Sequence, residues 1–152
     1  MPLARQLGFS LLSSLLLVGL IIVTSWPGRS WVMPADWAEG AGQVNPFDPR
    51  GLYTIAGLWL GFMAGFFILR QQLGILESGK GGVHALWRYL LGLFGIVLIY
   101  MGLGEFLPKA LTASTYIIIY LHSALLGLWI SYLAPLLFKA LKIASFKRVH
   151  LG

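Results

Sequence analysis

The 152-residue chain has no cysteine, which excludes a disulfide scaffold and a thiolate metal site. Charge is scarce as well. Eleven Lys and Arg stand beside five Asp and Glu, 11% of the chain, where an ordinary soluble domain carries about 25%. A hydrophobic share of 58% and a mean hydropathy of +0.81 exclude disorder, since disordered segments are apolar-poor. These proportions describe a polytopic membrane protein.

Residues 7–26 form a run of about twenty without charge. At 1.5 Å per residue such a run crosses a hydrocarbon core of about 30 Å. Residues 51–69 repeat the pattern between Arg50 and Arg70, residues 89–107 repeat it around one acid, Glu105, and residues 116–138 repeat it around one histidine, His122. Lipid offers the backbone no hydrogen-bond partner, so these runs are helices. The expected fold is all-α, a single domain of four transmembrane helices over residues 1–152. A cleaved signal peptide is the alternative for the first run. Its apolar core would be about 7–15 residues with a small-residue cleavage site, whereas this one is longer and ends in Ser25, Trp26, Pro27.

Basic residues in the connections set the orientation. Arg5, Arg70, Lys80, Arg88, Lys139, Lys142, Lys147 and Arg148 fall on one side; Arg29, Arg50 and Lys109 fall on the other. Both termini and the connection over residues 70–88 are therefore expected in the cytoplasm, with residues 27–50 as an outer loop. The net charge of +6 then reflects topology and attraction to anionic headgroups. Nucleic acid is not an expected partner, because no soluble basic face exists to meet it.

The outer loop holds Trp26, Trp31 and Trp37 at its start, three of the five acids, and four prolines. It reads as an interfacial loop with a short turn over residues 34–40, since such aromatics favour the headgroup zone; a lid over a polar cavity is the competing reading. The stretch 74–82 is glycine-rich around Lys80, yet Gly81 follows that lysine where a Walker loop needs Ser or Thr. It reads as a plain linker. The short connection 108–115 ends one helix and starts the next, and no repeat of fixed period relates the four spans.

Gly57, Gly61 and Gly65 recur every four residues and share one helical face, where they permit close approach of a second backbone. The seam suits a helix of this chain, or a partner transmembrane helix or second copy. Glu105 is the only acid within a span, and intramembrane charge marks a functional candidate. Lys109 at i+4 offers it an ion pair. His122 is either a neutral imidazole with a backbone or hydroxyl partner or the base of an acid–base pair with Glu105. One imidazole and one carboxylate are too few for a catalytic metal, so no metal or cofactor is expected. Ser13, Ser14, Ser114, Ser123 and Ser131 have only His122 as a base among them, which argues against a hydrolytic triad.

The stretches LARQLGFSLLSSLLLVGL, GLYTIAGLWLGFMAGFFI, WRYLLGLFGIVLIYMGLGEFLP and YIIIYLHSALLGLWISYLAPLLF cover most of the chain. In this order they resemble the C-terminal membrane region of bacterial type 2 phosphatidic acid phosphatase (PAP2) family proteins, most distinctively at residues 87–93 and 127–138. That family hydrolyses lipid phosphates through a phosphohistidine held by Lys-x6-Arg-Pro, Pro-Ser-Gly-His and Ser-Arg-x5-His-x3-Asp motifs. None occurs here: no histidine has Asp four residues later, and no arginine precedes a proline. No catalytic residue is carried over. The resemblance implies a bacterial cytoplasmic-membrane protein whose chain starts just after the catalytic helices, packs against partner helices or membrane lipid, and holds no active site of its own. The other readings are a small structural subunit of a larger membrane complex, or an intramembrane enzyme or proton-coupled carrier using Glu105 and His122.

Overall fold

The computed structural model describes residues 2–30, 32–34, 47–77, 81–105 and 112–147. Four helices in it are long and apolar enough to cross a membrane. Helix α1 spans Leu3–Ser25 and gives way to a single 3-10 turn, Pro27–Ser30. Helix α2, Arg50–Gln72, follows Pro49. Its first backbone N–H, on Arg50, donates to Asp48 Oδ1 at 3.0 Å, and the same carboxylate lies 3.4 Å from the Arg50 guanidinium. That contact satisfies one of the donors a helix start leaves without an internal partner. At its other end Gly74 takes φ 88°, the left-handed conformation that stops a helix and that glycine adopts without a Cβ clash.

Strand β1, Ile75–Glu77, leads to α3, Gly82–Gly104. Helix α4, Ala113–Leu128, is capped by Thr112, whose side chain accepts the Thr115 N–H. It runs through one π-helical stretch, Trp129–Leu133, into α5, Ala134–Ala140, the three forming one span of 28 residues. Pro135 explains the widening: it has no N–H to give the carbonyl of Ser131, and its ring would press on that carbonyl in a regular helix. Lys142 then adopts φ 58°, with its N–H donating to Lys139 O and the N–H of Ile143 to Phe138 O, both at 3.0 Å. This paired closure consumes carbonyls that α5 would leave open. Strand β2, Ser145–Lys147, pairs antiparallel with β1, Leu76 opposite Phe146.

Several boundaries differ from the hydropathy reading. Helix α3 starts at Gly82, within the stretch read as a linker, so His84 and Arg88 lie on its first turns. Glu105 sits just beyond its last residue rather than within a span. The connection 70–88 is not a plain linker, since β1 within it joins the segment after α5. Hydropathy alone misses an amphipathic first turn and a three-residue pairing. All but the first residue of the expected turn over residues 34–40, and the partner Lys109, lie outside the described residues.

Helix α2 is the centre of the bundle, packed on α4 along most of its length and on α1 at another face. Gly57 lies against Tyr120, Gly61 against Ala124 and Leu128, and Gly65 against Ser131. Residue numbers rise together along both helices, so α2 and α4 run parallel. Helix α3 crosses back between them in sequence but packs outside, against α4, the π-helical stretch and α5. Only Gly95 and Ile99 of α3 are buried. Under the sheet, Ala134, Phe138 and Ala144 form a small core that Leu91, Trp129, Ile143 and Phe146 extend.

Candidate functional site

The α2–α4 seam is built on missing side chains. A Cβ on Gly57 would meet the carbonyl of Tyr120, one on Gly61 the carbonyl of Ala124, and one on Gly65 the Ser131 hydroxyl. From the opposite side, a Cβ on Gly127 would meet the carbonyl of Leu58 and the backbone nitrogen of Phe62. The two backbones therefore touch through glycine on both helices, the small-residue packing that membranes favour. The partner of the glycine face is a helix of the same chain.

Hydroxyls join the helices across this seam. Ser14, fully buried, donates to Ala56 O at 2.9 Å and lies 2.7 Å from the Tyr120 hydroxyl, so one side chain of α1 ties α2 to α4. Trp59 Nε1–H donates to Ser13 Oγ at 3.0 Å. Ser131 donates to Gly127 O at 2.9 Å, within its own helix, and reaches Gly61 O at 3.4 Å. Tyr132 donates to Gln72 Oε1 at 2.8 Å. Tyr53 and Tyr116 stack with centroids 4.9 Å apart. Buried hydroxyls need such partners, since an unmet polar group in a low-dielectric interior costs about 1–3 kcal/mol. Ser14 and Ser131 drew attention in the sequence only as weak nucleophiles, and Tyr120 not at all. Serine and tyrosine on apolar runs were the available signal.

Among the described residues no hydrogen bond joins His122 to Glu105. The imidazole Nε2 lies 3.1 Å from Ile99 O; because a carbonyl only accepts, that nitrogen carries the proton. The histidine thus joins α4 to α3, with the Tyr100 ring tilted beside it at 6.5 Å. Glu105 is exposed and borders an open hollow of ≈ 320 Å³ with Tyr100, Met101 and Gly104. Among the described residues no group of three His, Cys, Asp or Glu is placed to hold a metal ion, and no hydroxyl shares a hydrogen bond with the imidazole.

Residues 53–146, from the first turns of α2 to the middle of β2, match the family model of the transmembrane extension of PAP2 superfamily phosphatases. The chain belongs to this family. No curated protein and no solved structure matches it. The matched part of this PAP2 extension holds the glycine seam, the His122 contact and the sheet, so the α2–α4 pair and the α3 helix laid on it are the family's portion of the fold. Ser14 and the rest of α1 lie outside the match and close the seam from one side.

Proposed function

We propose that this chain is an accessory membrane unit of a PAP2-type lipid phosphatase, one that packs helices and contacts lipid without a reacting group of its own. The match over residues 53–146 supports the link to a phosphatase. The observation that carries the non-catalytic part is how the interior polar groups are used. Ser14, Ser131 and Trp129 each donate to a backbone carbonyl, Tyr120 is engaged with Ser14, and the His122 imidazole is held on Ile99 O. A hydrolytic nucleophile needs a base within hydrogen-bond reach, and the reading is supported by the described residues, where no hydroxyl shares a hydrogen bond with the His122 imidazole. The missing phosphohistidine motifs agree.

Purification of the chain in mild detergent tests this in two measurements. Phosphate release from phosphatidic acid should stay at the blank, and a polypeptide bearing the Pro-Ser-Gly-His motif should accompany the chain. Release that His122→Gln or Glu105→Gln abolishes would overturn the non-catalytic reading in favour of an intramembrane enzyme. Isolation with an unrelated membrane complex would favour a structural subunit.

A further inference from the structure

Between α3 and α5 runs a crevice of ≈ 270 Å³ lined almost wholly by apolar groups, among them Gly92, Ile96, Trp129, Ala134 and Phe138, with Arg88 at one end. We propose that it binds one anionic diacyl phospholipid, an acyl chain lying along Gly92 and Ile96 and the headgroup phosphate on Arg88. The inference stands apart from any phosphatase partner.

Four observations carry it. The crevice runs past Gly92, where there is open room: the nearest atom to a Cβ placed there is Phe138 Cζ, at the ordinary contact distance of 3.7 Å. Its floor is fixed, since Trp129 Nε1–H donates to Gly92 O at 3.1 Å and Ala134 and Phe138 are buried. From Arg88 to Ile96 is eight residues, about 12 Å along the axis, against about 15 Å for one leaflet of a 30 Å core. A volume below the ~300 Å³ at which whole small-molecule pockets begin suits one chain rather than an entire lipid. Inside a bilayer no water fills an apolar crevice, and an unfilled one forfeits the dispersion contacts of its walls.

Charge selects the headgroup. Arg88 Nε–H donates to His84 O at 3.3 Å, which draws the guanidinium back toward the start of α3 and away from the bilayer centre, as snorkelling requires. Its terminal N–H groups form a fork suited to a phosphate. At the same end of the bundle stand Arg70, Lys139, Lys142 and Lys147, with Glu77 the one acid at that end among the described residues. An anionic headgroup is favoured there over a zwitterionic one.

The test is the thermal unfolding of the detergent-purified chain with added phosphatidylglycerol or phosphatidylcholine of identical acyl chains. Phosphatidylglycerol should raise Tm more. Arg88→Gln should weaken the phosphatidylglycerol response about five-fold and leave the phosphatidylcholine response unchanged, and Gly92→Leu, which fills the crevice, should remove the response to both. Arg88→Gln changes a partly exposed side chain and keeps the test decisive if Gly92→Leu does not fold. Equal responses to the two lipids, or a phosphatidylglycerol preference that Arg88→Gln does not reduce, would overturn the proposal. So would crosslinking of Leu93→Cys to a second copy in vesicles, because a protein helix would then occupy the crevice.

Discussion

At Gly61 the space between two helices is smaller than a methyl group. Its hydrogen points at the carbonyl of Ala124 and at Leu128 N, so Gly61→Val forces α2 from α4, and overpacking of this kind costs about 1–3 kcal/mol. Gly102→Val, on α3 with nothing within 4 Å of its Cβ, should leave stability within about 0.5 kcal/mol. Thermal unfolding of the two variants in one detergent makes the comparison. Ser14 presents the complementary case, a polar atom added where the seam needs one. Interhelical hydrogen bonds in a membrane protein average about 0.6 kcal/mol and reach about 1.7. Ser14→Ala should fall toward the upper figure because it loses Ala56 O and Tyr120 together. Tyr120→Phe should cost less, since Ser14 keeps its carbonyl.

Among the helices, α3 is the loosest. It rests on α4 through the Trp129 indole on Gly92 O and the His122 imidazole on Ile99 O, with Gly95 leaving room for the Trp129 ring. Trp129→Phe combined with His122→Leu should therefore free α3 alone. Spin labels at Leu98 and Leu58 would report a broadened distance, while a pair spanning α2 and α4 keeps its own. The existence of this helix could be read from hydropathy, and its start could not. Gly81, Gly82, His84 and Arg88 are residues that a linker also carries, and only the bundle end that receives them makes the turn helical. Pro135 was visible in the sequence, but that α4 would widen into a π-helical stretch instead of ending there depends on the packing on both sides of it. Glu105 and His122 stood out as polar residues on apolar runs. Which carbonyl would take the imidazole depends on the antiparallel register of α3 against α4, which no residue spacing encodes.

Over the whole molecule, four long apolar stretches sufficed to indicate a membrane bundle, because the solvent dictates helices there. The neighbour relations were hidden: glycines at 57, 61 and 65 announce a close contact without naming α4 as its partner. The β1–β2 pairing was equally hidden, three residues at each strand being too few for an alternating pattern to register. It ties the α2–α3 connection to the segment following α5 at one end of the bundle. Leu76→Cys with Phe146→Cys, in a chain without native cysteine, should crosslink under mild oxidation and raise mobility on denaturing gels; no shift would remove the sheet.

The parallel contact of α2 with α4 also dictates an order of assembly. A ribosome delivers α2 into the bilayer a full helix and two connections before its mate. Until residues 113–140 emerge, the bare glycine face at 57–65 has no cover of its own, and whatever small-residue helix drifts past can occupy it. The nascent chain is most open to wrong pairing during that interval, and its yield should depend on how fast the second half is synthesised.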